Sequence, residues 1–314
     1  MKICFKNFPY RVLVLDTQNL NPEKKRKYSL FTTPKFRCCL EGKDPYDIGF
    51  TEQIAIGIEK NSEPIGLALA SLFKGLDYAE IHTINIDIHY KKPNILKNFI
   101  SEIEKKLFSQ NANYITYRFS PDTPIVNSLV PVLEENSWAS PKLVMIRYFY
   151  DAQAFNPPWY DRPPLLPSGY KTFKWETIRD SELEKIKKDY KQGYFTDHVS
   201  PFWEAEKIEP VNSIGLRYKN QVIGWMICHR VAHDTIRYTA FYVKHQFAFT
   251  GYPLRLLVDS MKLHQTSTIK WALFELNFQD PPTSWINFVL KRLAPLAQAQ
   301  IPVYETWKQR ETGS

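Results

Sequence analysis

The fold is decided by two similar stretches of sequence, IHTINI at residues 81–86 and RYTAFYV at residues 237–243. Each is an apolar strand that leads into a loop, YKKPNIL at 90–96 and FAFTGYP at 247–253. A run with helical apolar spacing follows each loop, and the two copies lie about 157 residues apart. Because a strand-loop-helix unit presents backbone N–H groups to a phosphate, the sequence predicts two places where an anionic ligand can bind.

Both halves of the chain repeat one order of elements around this unit. Apolar alternation, turn signals and helical spacing predict β-β-β-α-β-α-β in each half, with an extra β-α entry at least in the second. The long strand of the first half is expected at 78–89, and the last helix of the second at 283–293. This order predicts an α/β protein with a mixed, mainly antiparallel sheet flanked by helices in each half.

A proline-rich segment separates the halves. Residues 156–169 contain five prolines, which remove hydrogen-bond donors and bias their neighbours toward extended backbone. A stiff connector is therefore expected. We predict domains at 1–152 and 170–314, joined by a linker at 153–169.

Composition and charge limit the classes of function. The 314 residues carry a net charge of +8, which favours anionic partners, although an ordinary basic surface explains it equally well. Cys4, Cys38, Cys39 and Cys228 show no CxxC spacing, which argues against a zinc site or a disulfide framework. We expect a reducing cytoplasmic location and no metal. Residues 1–5 lack the apolar core of a signal peptide, and no membrane span is expected.

With these residues in this order, the chain resembles the GCN5-related N-acetyltransferase (GNAT) superfamily in tandem, over roughly residues 50–150 and 170–307. The strand 79–86 is similar to the family's fourth strand, and each quoted loop lies where the family carries its R/Q-x-x-G-x-G/A pyrophosphate motif. The motif positions are held by Lys91, Asn94 and Leu96 in the first half and by Ala248, Gly251 and Pro253 in the second.

Neither loop keeps the glycines of the motif intact. Three states remain open: the second half binds the acyl donor and the first is structural, the reverse holds, or both or neither bind. Gly251 favours the second half as the donor-binding domain, with a degenerate first half. The resemblance implies acyl-CoA as co-substrate. It places the donor-binding residues at Val243, Lys244, Ala248, Phe249, Thr250, Gly251, Tyr252, Pro253 and Asn277.

The resemblance also implies acyl transfer from a thioester to an amine. A backbone N–H near 242–244, or near 85–86, would hold the thioester carbonyl. Asp197 and His198 are candidate bases in the acceptor region, and Glu275 is another. Tyr242 is a candidate general acid. Each has a simpler interpretation, because Asp197 can cap a turn, Glu275 can face solvent and strand tyrosines usually pack.

The aromatic residues around the second loop raise a question of acyl length. One hypothesis is that five aromatic residues line a cleft for an acyl group longer than acetyl. They are Phe247, Phe249, Tyr252, Trp285 and Phe288. Plain packing between the loop and the helix is an equally good explanation of these rings.

These observations favour an N-acyltransferase that moves an acetyl or longer acyl group from acyl-CoA to a primary amine of a small molecule or peptide. Two alternatives remain: a lipidating maturase that acylates an amine side chain of a ribosomal peptide, and a non-catalytic tandem scaffold that binds an acidic partner. A nucleic-acid binder ranks last, because the charges are spread along the chain. A monomer or homodimer is expected. The amine acceptor stays open.

Overall fold

The computed structural model describes residues 10–45, 51–248, 250–279 and 283–310. Within them the strands are β1 (Arg11–Val14), β2 (Thr51–Lys60), β3 (Glu63–Phe73), β4 (Tyr78–Ile86), β5 (Tyr114–Phe119), β6 (Lys142–Asp151), β7 (Tyr170–Lys174), β8 (Ile214–Tyr218), β9 (Gln221–Ala232), β10 (Thr235–Val243), β11 (Trp271–Asn277) and β12 (Ala299–Gln309). The α-helices are α1 (Pro22–Tyr28), α2 (Pro93–Ser109), α3 (Val126–Glu135), α4 (Asp180–Lys191), α5 (Tyr252–Gln265) and α6 (Thr283–Phe288).

Short irregular helices join these elements. The 3-10 helices are Ser29–Phe31, Pro34–Glu41, Ile88–Tyr90, Trp175–Thr177, Asp197–Val199, Ala205–Lys207, His245–Phe247 and Ala294–Leu296, and a π-helix spans Val289–Leu293. The predicted strand 78–89 therefore ends at Ile86, where the Asp87 side chain accepts from His89 N at 2.9 Å and turns the chain. The predicted helix 283–293 is α-helical only as far as Phe288.

The chain forms two compact units. Unit 1 comprises Met1–Val144 and Pro302–Ser314, and unit 2 comprises Met145–Ile301. The last strand of the chain, β12, pairs with β5 in unit 1, and most of β6 pairs with β11 in unit 2. The domain bounds 1–152 and 170–314 stay a prediction, because compactness alone does not define what folds independently.

Unit 1 is a mixed sheet with strand order β1-β2-β3-β4-β5-β12. Its strands pair antiparallel except β4 and β5, which are parallel. Pro93 opens α2, where a missing N–H does no harm. The apolar stripe of α2 then buries Ile95, Leu96, Phe99, Ile100, Ile103 and Leu107 against the sheet. Truncating fully buried Phe99 to alanine would cost about 3–5 kcal/mol. The opposite face carries a smaller core beneath α1.

Unit 2 repeats the plan with strand order β6-β11-β10-β9-β8-β7. Only β10 and β11 pair in parallel. The face beneath α5 holds a large core that includes Tyr238 and Phe274. The other face, beneath α4, holds Trp225, Ile227 and Ala240. Side chains of β10 reach both cores, so both faces of this strand are packed.

Two further observations concern the described residues as a whole. Among them, none of the helices has the length and apolar character needed to cross a bilayer. No three His, Cys, Asp or Glu side chains of the described residues lie together in a way that could hold a metal ion.

Candidate functional site

In unit 2, the parallel strands β10 and β11 pair and then separate. Pairing joins 235–238 to 271–274, although β10 continues to Val243 and β11 to Asn277. The register of β10 against β9 shifts between Tyr238 and Ala240. This bulge lies at Thr239 and bends β10 where it leaves β11. The end of β10 is therefore a strand edge that β11 does not cover.

The Val243 N–H points to this free edge. Lys244 N donates to Ile223 O at 2.8 Å, so these two residues form a hydrogen-bonded pair of the antiparallel ladder. Such pairs alternate with non-hydrogen-bonded pairs. The neighbouring pair, Val243 with Gly224, must therefore direct its N–H groups away from the ladder. Within the described part of the chain, the Val243 N–H has no hydrogen-bond acceptor.

The loop after β10 ends at the start of α5. Gly251 is the N-cap of α5 and has φ of +80°, a conformation that favours glycine. A Cβ at Gly251 would lie 3.2 Å from Cγ of Pro164 in the proline-rich segment. The first-turn N–H groups of a helix lack intrahelical acceptors. They carry the positive end of the helix dipole, so the loop and the free edge of β10 together present N–H donors to an anionic ligand.

Unit 1 has the same backbone geometry. Its β4 and β5 pair over 78–81 and 114–117, and the bulge of β4 falls between Ile81 and Thr83. Asp87 N donates to Ile65 O at 2.7 Å, which by the same alternation points the Ile86 N–H to the free edge.

The free edge of unit 1 is occupied by the chain itself. Asn85 Oδ1 accepts from Ile86 N at 3.0 Å, whereas the corresponding residue before Val243 in unit 2 is Tyr242. Lys91 Nζ donates to Pro124 O at 3.0 Å, so this lysine is used inside unit 1. Leu96, at the second glycine position of the motif, is fully buried. The side chains of unit 1 thus fill the places that a donor would need.

Comparison with solved structures identifies this arrangement. A tandem GNAT protein from the clavulanic acid biosynthesis pathway is similar with a TM-score of 0.64 and 11% identity, over 97% of this chain and 100% of that one. A GCN5-related N-acetyltransferase from Sphaerobacter thermophilus is similar with a TM-score of 0.58 and 10% identity, over 98% of each chain.

The chain has the tandem GNAT fold. A glucosamine N-acetyltransferase region of a fungal multi-domain GH3 β-N-acetylglucosaminidase is also similar, with a TM-score of 0.61 and 9% identity, over 95% of this chain and 38% of that one. No family model and no curated protein matches the sequence. At such low identity the likeness shows the fold alone, so substrates must be argued from the residues.

Most of the predicted donor residues form one continuous path in this GNAT fold. Val243, Ala248, Thr250 and the first residues of α5 follow one another from the free edge of β10 to the helix start. The side chain of Lys244 is used elsewhere in unit 2, because its Nζ donates to Asp189 Oδ2 at 2.8 Å. Asn277 ends β11, and its Oδ1 accepts from Gln279 N at 2.8 Å. Phe249 lies outside the described residues.

A buried charge network lies on the other face of the sheet. Arg237 Nη2 binds Glu204 Oε2, and Arg237 Nη1 lies 4.0 Å from Glu275 Oε2. Glu275 also binds Arg147 Nε at 2.9 Å, and Glu204 binds Lys207 at 2.7 Å. Burial opposes ionisation of Glu204, but Lys207 and Arg237 lower its pKa below the usual value. Arg237 is the centre of the network.

The predicted catalytic residues are placed in three different settings. Glu275 belongs to the buried network. Asp197 and His198 lie on an exposed 3-10 turn, where Asp197 Oδ1 accepts from the Tyr190 hydroxyl. Tyr242 packs on Trp225 with ring centroids 4.7 Å apart. Its hydroxyl donates to Tyr194 O at 3.4 Å, and burial, followed by the Asp189 charge, raises its pKa.

The aromatic residues near the cleft fall into two groups. Phe247 and Tyr252 pack on Tyr170, with centroids 6.1 and 4.4 Å away. Trp285 instead packs on Phe241 of β10 at 5.6 Å and on Phe288 at 5.7 Å. Trp285 thus lies against β10 where that strand has left β11.

Three polar residues on the same face as the charge network were not among the predicted site residues: Glu204, Arg237 and His229. His229 and Thr239 form a buried pair, with Nδ1 and Oγ1 2.8 Å apart. In unit 1 the corresponding strands carry Ser71 and His82, with Oγ and Nε2 2.7 Å apart. A histidine paired with a hydroxyl thus recurs beside each bulge, with the two residue types exchanged. The offset of 157 residues relates His82 to Thr239 but Ser71 to Cys228, so the repeat alone does not reveal the pair in the sequence.

Proposed function

We propose that the protein is an N-acyltransferase, and that unit 2 moves an acyl group from acyl-CoA to a primary amine of a small molecule or peptide. One observation carries the proposal: the Val243 N–H has no acceptor at the free edge of β10. A thioester carbonyl that lies along this edge would complete the hydrogen bonding of the strand. The GNAT fold supports this use of the cleft.

In this proposal unit 1 is structural. Its equivalent N–H is bound by Asn85, and Lys91 is bound to Pro124 O. One chain would therefore take up one acyl-CoA. The positive start of α5, after Gly251, would face the phosphates of the donor.

The reaction needs few groups from the protein. The amine nitrogen attacks the thioester carbonyl carbon, and the Val243 N–H stabilises the negative charge that develops on the oxygen. The carbon–sulfur bond then breaks, an amide forms, and the proton lost by the nitrogen ends on the departing thiolate. Glu275, Asp197, His198 and Tyr242 remain the predicted acid–base candidates, of which Glu275 alone belongs to the buried network.

The first experiment measures donor binding. Isothermal titration of the full chain with CoA and acetyl-CoA should give saturable heat at a stoichiometry near one, and the melting temperature should rise. Flat titrations with both ligands would contradict the proposal and favour the scaffold alternative. If the protein is such a scaffold without a donor site, CoA and acetyl-CoA should also leave its melting temperature unchanged.

A matched pair of variants then tests the site itself. Val243→Pro removes the free-edge N–H without removing a bond to β9, and Ile86→Pro removes the equivalent N–H in unit 1. Thiol release from acetyl-CoA is measured with a panel of spermidine, glucosamine, lysine amide and tryptamine. We expect Val243→Pro to lower kcat about 10²-fold or more, and Ile86→Pro to leave it within about twofold. Equal losses of kcat in the two variants would contradict the assignment of the active site to unit 2.

Acyl length is tested with acetyl-, octanoyl- and palmitoyl-CoA. Trp285 and Phe241 lie in the way of a long chain, so acetyl-CoA should be preferred and Trp285→Ala should extend the range. A preference of the unaltered protein for palmitoyl-CoA would instead support acylation with a lipid chain.

A further inference from the structure

Among the described residues, Val243 makes no ladder hydrogen bond to β9. Its pair with Gly224 is non-hydrogen-bonded, so its N–H and its C=O both point away from that strand. Because β11 has already left β10 at this point, the residues before and after Val243 determine where its N–H points. An N–H group stabilises a developing charge best when it is already held in place.

Lys244, directly after Val243, is bound at three of its atoms. Its N–H donates to Ile223 O at 2.8 Å, and its C=O accepts from Phe247 N at 2.8 Å in the 3-10 turn that follows. Its Nζ binds Asp189 Oδ2 at 2.8 Å. This residue is thus fixed to β9, to the loop that leads to α5 and to the end of α4.

Asp189 provides a firm support for this ion pair. It lies in the last turn of α4, and Ile186, one turn earlier, is 3% exposed in the core beneath that helix. The Asp189 C=O accepts from Tyr194 N at 3.1 Å, and Gly193 with φ of +76° completes this helix end. The Asp189 side chain itself is 16% exposed. The carboxylate that binds Lys244 therefore belongs to a packed helix end.

Tyr242 links the other side of Val243 to the same end of α4. Its hydroxyl donates to Tyr194 O at 3.4 Å, and its ring packs on Phe195 with centroids 5.2 Å apart. Tyr194 and Phe195 both belong to the turn that follows α4. Both neighbours of Val243 are therefore tied to one support, whereas the N–H between them stays available.

Unit 1 has the same backbone bonds without the ion pair. Asp87 lies 157 residues before Lys244. Its N–H donates to Ile65 O at 2.7 Å, and its C=O accepts from Tyr90 N at 2.9 Å. Its side chain, however, accepts from the nearby His89 N. The link between this residue and a helix is thus present in the unit whose free-edge N–H is available.

We propose that Lys244 and Asp189 are a positioning pair, which holds the Val243 N–H in the direction that the thioester carbonyl requires. The inference rests on the proposed N-acyltransferase function, and it gives Lys244 a role other than the donor binding that the family resemblance implies. Lys244 acts through Val243 and does not touch the donor. The two roles give different results when the lysine charge is removed.

Turnover and donor binding of Lys244→Met separate the two roles. We expect kcat with the four amines named above to fall about tenfold or more, because misplacing a group by about 1 Å can cost about 10²-fold. The Kd of acetyl-CoA, from isothermal titration, should stay within about twofold, because an exposed charge that does not touch the donor is screened. Asp189→Asn should give the same loss of kcat, and the double variant should lose no more than either single variant.

Two further variants complete this experiment. Lys244→Arg can still pair with Asp189 and should keep most of kcat. Lys187→Met is the matched control, because Lys187 pairs with Glu184 at the same distance of 2.8 Å on the exposed side of α4. That control should leave kcat within about twofold.

Infrared spectra of bound acetyl-CoA, labelled with carbon-13 at the carbonyl, report on the N–H directly. A hydrogen bond from Val243 lowers the carbonyl stretching frequency below that of free acetyl-CoA. Lys244→Met and Asp189→Asn should both move this frequency back toward the free value, and Lys187→Met should not. A purely structural role of the ion pair would leave the frequency unchanged.

Weaker acetyl-CoA binding by Lys244→Met, with kcat unchanged, would overturn the inference and show a lysine that binds the donor. An unchanged kcat and an unchanged carbonyl frequency in Asp189→Asn would also overturn it. In both cases the proposed function survives. If the unaltered protein neither binds acetyl-CoA nor releases thiol with any amine, the proposed function itself is refuted, and the inference with it.

Discussion

Unit 1 and unit 2 share a backbone and differ in what occupies it. The parallel pair begins with Tyr78 opposite Tyr114 in unit 1 and with Thr235 opposite Trp271 in unit 2. The bulge falls at the same position in the two units, and so does the alternation of hydrogen-bonded and non-hydrogen-bonded pairs. Yet Asn85 binds the free-edge N–H in unit 1, and the tyrosine at its place in unit 2 does not. The divergence of the two parallel strands is thus common to both units. Whether the N–H at the free edge is available depends on a single side chain.

On the sheet faces turned away from α2 and α5, the charges are inverted between the units. In unit 1, Arg118 binds Glu305 at 2.6 Å. Burial works against ionisation of Arg118, but Glu305 and then Glu80 raise its pKa. In unit 2, Glu275 lies between Arg147 and Arg237. A negative-positive-negative set in unit 1 therefore becomes a positive-negative-positive set in unit 2.

The largest expected effect is the loss of Arg237. Its side chain is 13% exposed and lies between Glu204 and Glu275, which are 10% and 24% exposed. Arg237→Met would remove the cation that the two carboxylates share and leave them only Lys207 and Arg147, at a cost of about 3 kcal/mol in the free energy of unfolding. Arg118→Met should cost only about 1 kcal/mol, because Arg118 is 37% exposed. Urea unfolding of the two variants measures the difference, and equal losses would contradict the contrast.

The fold could be predicted from the sequence because it depends on patterns that repeat. The apolar stripe of α2 and Pro93 at its start both indicate a helix. The two strand-loop-helix stretches indicate the same local structure in each half, so these signals agree with one another. The pairing of β12 with β5 could not be predicted. A terminal strand with apolar alternation fits the edge of either sheet equally well, and no local signal distinguishes the two.

The site was predictable only where it depends on backbone. Gly251 indicates the loop, because a positive φ at a helix start needs that residue. The network around Arg237 joins residues far apart in sequence, such as Arg147 and Glu204, so only the folded chain brings them together. Burial of His229 likewise depends on Trp203, which no periodicity links to β9.

The second largest effect is a dependence of stability on acid. Burial, followed by Lys35, lowers the pKa of His82 to about 3, and burial lowers the pKa of His229 to about 4. Because both values lie below the unfolded value near 6.5, each neutral histidine contributes stability in full above pH 6.5. That contribution is lost as the pH falls toward the folded pKa. We expect a loss of up to about 3 kcal/mol for each ring between pH 6.5 and 4.

Variants separate these histidines from the carboxylates, which also respond to acid. Urea midpoints of His82→Gln and His229→Gln should fall less steeply than those of the unaltered protein between pH 6.5 and 4. His233→Gln is the control, because that ring is 92% exposed. A slope unchanged in both buried variants would show that the rings are protonated in the folded state.

A smaller effect is expected at Gly251. Gly251→Ala and Gly75→Ala both place a side chain at positive φ, +80° and +82°, at a cost of about 1 kcal/mol each. Only at Gly251 would the new Cβ also press on Pro164, since nothing lies within 4 Å of the Cβ position at Gly75. Titration with acetyl-CoA should show about tenfold weaker binding for Gly251→Ala and none of this loss for Gly75→Ala. Equal binding by the two variants would place the donor elsewhere.

The smallest effect is expected at the exposed turn of unit 2. Asp197 and His198 are solvent-exposed, and the bond of Asp197 to Tyr190 raises the pKa of that tyrosine. A general base normally contributes about 10²–10⁴ in rate. We expect Asp197→Asn and His198→Gln to change kcat/KM less than about twofold, because the charge network of Glu275 includes strand residues next to the free edge of β10 and this turn does not. A drop of 10²-fold in either variant would place the acceptor amine at the turn.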